Sequence, residues 1–375
     1  MLNWAKNAVG ISEPIYGPSA IQTVAEQAKE TPYTETSKDD LAWEVMDVTN
    51  VETKTFYMTS DDGHIGLVQV IYSNVMGIRT TAQFSTKIYS KVPGKPHLWA
   101  TDNVSNFSFS ADKQNFKADG CSMEISEDGK SYTIRSSMNR QAVVDLKFTQ
   151  IVPGFVVGKN GTSNYGTDPE KPWGRMKHLF WPRCQVEGSI ITQQGPVDFK
   201  GRGFLSHALQ GMKPHFAAVK WNFANFQSPS YSAVMMEYTT PKSYGETSVV
   251  VGGIATESGI LMAGASPALK VEHTEVKGDP DNDWPEPGAV AFTWSGKTQD
   301  GKDVTAKLEG SILPRTDRVD VMGELPKFVK QIVAGAAGAK PYIYQYTPKL
   351  TLKLNIGGEE KEEEGQLFME ATFIS

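Results

Sequence analysis

From about residue 43 onward, short runs alternate apolar and polar positions, the period-2 signature of strands with one buried face. Val144, Leu146 and Phe148 alternate with Asp145, Lys147 and Thr149. Asp61-Asp62-Gly63 separates KTFYMTS from HIGLVQVIYS, and Glu127-Asp128-Gly129-Lys130 separates CSMEIS from SYTIRSSM. A glycine at such a point supplies the positive φ that a hairpin turn requires. Strand signals resume at Val186 and continue through YSAVMMEY, SVVVGG, GILMAG and AVAFTW. Many short strands on short turns predict an all-β fold, an antiparallel barrel or sandwich.

Two segments follow helical spacing instead. Placed at 100° per residue, Leu2, Trp4, Ala5, Ala8, Val9 and Ile11 fall on one half of a wheel and Asn3, Lys6, Asn7 and Gly10 on the other. Pro14 ends this short amphipathic helix, whose one cation is Lys6. So weakly charged a helix would hold a membrane by inserting Leu2, Trp4, Ala5, Val9 and Ile11 between lipids. The second lies near the C-terminus, where Leu325, Phe328, Val329, Ile332, Val333 and Ala336 share one face before Pro341. A barrel followed by one packed helix and a closing strand resembles the lipocalin plan. The acidic run Glu359 to Glu364 reads as a solvated hairpin tip.

These elements predict four regions: residues 1–18 as a membrane-contacting helix, 19–42 as a polar and partly mobile connector, 43–182 as one barrel with its junction, and 183–375 as a second barrel. The junction, residues 153–182, is rich in Gly, Pro and Asn and carries Trp173 and Trp181. It is expected to fold against both halves.

Composition removes several functions. The net charge of −6 offers no basic stripe for nucleic acid. Cys121 and Cys184 read as buried thiols in a reducing compartment. No phosphate loop or zinc helix motif occurs, and the 6 histidines lack metal-ligand spacing. Asp279, Asp281 and Asp283 imitate a calcium loop, but Trp284 stands where the glycine should be and Val290 where the bidentate Glu should be. No metal and no cofactor is expected, and the protein is expected to be a monomer. What remains is apolar capacity: 8 Trp, 17 Phe, 13 Tyr and 13 Met. Met235, Met236 and Met262 could adapt to a flexible chain inside a barrel, and an eight-stranded barrel is just wide enough for one small ligand.

The densest concentration is GRGFLSHALQGMKPHFAAVKWNFANFQS, residues 201–228. It alternates around Ala217, Val219, Trp221 and Phe223 as a strand with one buried face. A satisfied β core would use the same residues. This stretch resembles the signature of the fungal Svf1 (survival factor 1) family, relatives of the AttH and carotenoid-hydratase proteins. The opening MLNWAKNAVGISEPIYGPSAI, the SDDGHIGLVQVIYSNV hairpin and the KPWGRMKHLFWPRC junction resemble that family too. The resemblance implies tandem lipocalin-like barrels and a carrier of ceramide or a related sphingolipid, moving it between ER and Golgi membranes without vesicles and linked to oxidative-stress survival. It implies a cytoplasmic protein, peripheral on those membranes, with the nucleus as a further location. The expected lipid contacts are His207, His215, Trp221, Asn222, Phe223, Asn225, Phe226 and Trp181. Among them His207, His215, Asn222 and Asn225 would meet the headgroup amide and hydroxyls, which cannot be buried unpaired without loss. The rival reading is a hydratase- or cyclase-type enzyme acting on a polyene or isoprenoid, with His207, His215 or Asp198 as acid or base.

Overall fold

The computed structural model describes residues 14–92, 95–324 and 341–374. The expected helix carrying Leu2, Trp4, Ala5, Val9 and Ile11 and the expected helix over 325–336 lie outside the described residues.

Strands dominate and form two curled antiparallel half-barrels. The path of the first sheet runs Leu98–Asn103, Arg79–Ile88, Ile65–Val75, Asn50–Ser60, Gly201–Gln210, Gly174–Thr192, Ala142–Gln150, Ser131–Asn139, Cys121–Ile125, Phe116–Ala118, Ser108–Phe109. The second runs Gly259–Ala265, Ser248–Thr256, Ser232–Thr239, Lys220–Gln227, Glu359–Phe373, Lys349–Ile356, Asp303–Ser311, Pro285–Lys297, Leu269–Gly278. The hairpin signals turn where expected, with Gly63 at φ 78° and Gly129 at φ 71°. Val144, Leu146 and Phe148 are buried while Asp145 and Lys147 are exposed.

The middle strands of the two sheets pack back to back, which creates three cores. Phe56, Tyr132, Phe148 and Trp181 fill the concave face of the first sheet, with ring centroids 4.8–5.3 Å apart. Phe226, Met235, Met262, Trp294 and Tyr344 fill that of the second. Tyr57, Phe180, Phe204, Phe223, Tyr238 and Phe368 form a third layer between the sheets. The middle strands are therefore covered on both faces. Arg183 bolts the layers together: its buried guanidinium donates to the Ser228 carbonyl at 3.1 Å, to Ser232 Oγ at 3.1 Å and to the Pro229 carbonyl.

Several expectations change. The division at 182/183 falls inside the Gly174–Thr192 strand, because the chain changes sheet only between Gln210 and Lys220. The connector 19–42 is built in: Ile21–Gln22 pairs with Thr162–Tyr165, and Tyr33–Glu35 with Phe155–Val157. Its backbone groups thus find partners that water would otherwise supply. Glu359 to Glu364 belong to a strand rather than to a turn, which Gly357 and Gly358 make with φ of 60° and 94°. Both thiols are buried and free, and burial pushes the Cys121 thiol up to about 11. Asp279 serves Arg318, whose Nη1 donates to its two oxygens at 2.9 and 2.8 Å.

Candidate functional site: an apolar cleft between the sheets

Beside the third core the back-to-back packing leaves a cleft of about 320 Å³, lined from both sheets. Val51, Thr53, Met176, His178 and Ala208 line it from the first sheet. Trp221, Phe223, Met236, Ile343, Glu370 and Thr372 line it from the second. Neighbouring residues of one strand point to opposite faces. Trp221 and Phe223 therefore share a face that Asn222 and Ala224 do not. Phe223 is fixed by Tyr57 at 5.1 Å and Phe204 at 5.8 Å between ring centroids. A larger open depression of 920 Å³ lies on the outer face of the second sheet. Lys270, Lys307, Lys353, Lys361, Glu360 and Glu362 line it, and solvated charges give an apolar molecule little reason to leave water.

Thr53, His178, Gln210, Glu370 and Thr372 are the polar side chains among the lining residues, and His178 and Glu370 are the ionisable ones. Glu370 Oε1 accepts from Gln345 Nε2 at 2.5 Å, and its second oxygen has no partner among the described residues. Its partial exposure is to the cleft, and burial by the surrounding protein raises its pKa, against the pull of Gln345 and Lys87. Neither ring nitrogen of His178 has a hydrogen-bond partner among the described residues. Burial pushes its pKa down to about 4, so the imidazole is neutral near pH 7. Its ring stacks on Phe180 with centroids 6.2 Å apart.

The expected site residues do not form one wall. Trp221 and Phe223 line the cleft. Trp181 and Phe226 are instead packed in the two concave cores, fully buried. His207 lies inside the first sheet, where Nε2 donates to Glu52 Oε1 at 2.8 Å. Asn222 donates to Glu237 Oε2 at 2.6 Å and meets His273 Nε2 at 2.7 Å. Asn225 is buried and accepts from Gln227 Nε2 at 2.8 Å. His215 sits in the helical turn Pro214–Ala217, against Phe216 and away from the cleft. The physical reason is that residues 201–228 divide between two sheets, Gly201–Gln210 in the first and Lys220–Gln227 in the second. Met235 and Met262 pack the second concave core, and Met236 alone of the three lines the cleft. Sequence reasoning missed His178 and Glu370. The available signal was a lone ionisable residue among apolar neighbours, HLFW for one and LFMEATF for the other.

Twin half-barrels packed back to back, with an apolar cleft between them, define a lipocalin-like fold. The chain belongs to the Svf1 family, whose family model matches residues 2–375. It is 57% identical over 382 residues, covering 100% of both chains, to the ceramide-binding protein svf-1 of Neurospora crassa. The fold matches a protein described as AttH from Nitrosomonas europaea, with a TM-score of 0.56 at 13% identity over 89% of this chain and 98% of that one. Kievitone hydratase from Nectria haematococca has a TM-score of 0.56 at 12% identity, over 96% of this chain and 98% of the hydratase.

Proposed function

We propose that this protein binds ceramide or a related sphingolipid in the cleft between the two sheets and carries it between ER and Golgi membranes, with a role in oxidative-stress survival. The observation that carries the reading is an apolar cleft whose walls include a few polar side chains, His178 and Glu370 among them, in a chain 57% identical to a ceramide-binding protein. Trp221, Phe223 and Met236 would meet hydrocarbon, each buried CH₂ contributing about 0.8 kcal/mol. A volume of 320 Å³ lies at the small end of the usual range of roughly 300–1,000 Å³. The described walls thus suit the headgroup and the adjoining chain atoms, not two whole acyl chains. In this reading the protein is a cytoplasmic monomer, with a further nuclear pool, that touches membranes through Leu2, Trp4, Ala5, Val9 and Ile11.

Solvent extraction of the purified protein followed by mass spectrometry tests this directly. Stoichiometric ceramide is expected; phospholipid at trace level alone would sink the carrier reading. A hydratase-type activity is the second reading, favoured by one observation: His178 and Glu370 could serve as base and acid in the same cleft. Recovery of ceramide and polyene substrates unchanged after incubation would exclude it.

A further inference from the structure

We propose that Glu370 and His178 form a headgroup-reading pair that admits lipids with an uncharged, hydrogen-bonding headgroup and rejects their phosphorylated counterparts. The inference rests on the lipid-binding reading and adds its selectivity.

The arrangement around Glu370 is determined by the Lys87 ammonium, which can only donate. Lys87 Nζ and Tyr89 OH both donate to Gln345 Oε1, at 2.6 and 2.8 Å. Gln345 must therefore direct its NH₂ at Glu370 Oε1. Lys87 is ion-paired with Asp317 and lies over the Trp99 ring at 3.8 Å, so its charge is matched inside the protein. This chain of bonds crosses from the first sheet to the second and ends at Glu370, which lines the cleft. Burial favours the protonated carboxyl, which offers an O–H donor. The neutral His178 imidazole offers one donor and one acceptor. An amide and hydroxyls find complementary partners in that set.

A phosphate does not. No Lys or Arg lines the cleft among the described residues. Burying an unpaired anion costs several kcal/mol or more, and a carboxyl beside it raises that cost. The groups facing Glu370 are Tyr57 and Tyr89, both kept neutral by burial, with Lys87 and, through it, Asp317. His178 lines the same cleft. As pH rises Glu370 loses its proton and with it the donor, so affinity for the uncharged headgroup falls.

The full chain is titrated with a fluorescent short-chain ceramide and with the 1-phosphate ester of the same probe. The wild type is expected to prefer the uncharged probe by at least about tenfold, equivalent to about 1.4 kcal/mol. Glu370→Leu should lose most of that affinity in a protein that circular dichroism shows to be folded, although it leaves Gln345 Nε2 without its acceptor. Glu370→Gln, which keeps a donor and an acceptor, should bind at all pH values without the decline seen in the wild type. Equal wild-type affinity for both probes overturns the selectivity and leaves the lipid-binding reading intact. Binding of neither probe removes both. Parallel pH profiles of wild type and Glu370→Gln overturn the assignment to Glu370.

Discussion

His207 donates through Nε2 to Glu52 Oε1 at 2.8 Å within the first half-barrel, where both side chains are almost wholly buried. Burial works to raise the Glu52 pKa, but the bond from His207 and the backbone N–H groups of Glu44 and Val45 outweigh it and lower it. The histidine is thus a partner to a buried carboxylate. Burial holds the imidazole itself below its usual range, so it donates as a neutral group, and leaving the Glu52 oxygen without that donor typically costs about 1–3 kcal/mol. His207→Ala should lower stability by that order in urea unfolding, while the folded fraction retains its affinity for ceramide. Lost binding with an unchanged unfolding midpoint would return His207 to the ligand wall.

Phe223 touches both the cleft and its aromatic support, Tyr57 and Phe204. Phe223→Trp enlarges the side chain where the cleft holds only about 320 Å³. Overpacking of this kind costs about 1–3 kcal/mol, and the same volume is denied to the ligand. Ceramide binding should weaken by about tenfold or more with circular dichroism unchanged. Undiminished affinity in a folded variant would move the ligand away from this wall.

Acid should destabilise the ligand-free protein in a defined window. The unfolded His178 takes up a proton near 6.5, whereas burial holds the folded group to about 4. The unfolded state then binds more protons between these values, so stability is full above about pH 6.5 and is lost as pH falls toward 4. The loss from His178 is on the order of 3 kcal/mol. His215 and His273, also held near 4 by burial, act in the same direction. Urea unfolding at a series of pH values should show a shallower decline in His178→Gln. An identical decline would assign the effect to other groups, among them His64 and His207, which burial also holds below the usual imidazole range.

The N-terminal residues can be tested apart from the barrels. The backbone N–H groups of Tyr16 and Gly17 donate to the Ser243 carbonyl at 2.8 and 3.0 Å, and Tyr16 packs on Trp173 at 4.9 Å. Docking is therefore already complete from Tyr16 onward. Val9→Asp places a charge among Leu2, Trp4, Ala5 and Ile11, which hydrocarbon tolerates poorly. Sedimentation with uncharged vesicles should fall sharply while the melting temperature stays constant. A large drop in melting temperature would indicate packing on the protein core instead.

The sequence by itself determined what local chemistry controls. Hairpins appear at Gly63 and Gly129 because a positive φ belongs to glycine, and the Ala142–Gln150 strand keeps its alternation because one face meets water. The family was equally legible, since it rests on long stretches of residue identity. The tertiary structure alone decided which residues meet in the cleft. Gly201–Gln210 and Lys220–Gln227 are covered on both faces, so apolar residues occupy both and period-2 patterning no longer marks a side. For that reason Trp181, His207 and Phe226 could not be told from Trp221 and Phe223. His178 and Glu370 lie 192 positions apart in the chain and share a cleft only because two sheets pack back to back. Their free bonding capacity is a property of that packing, set by which neighbours are absent as much as by which are present.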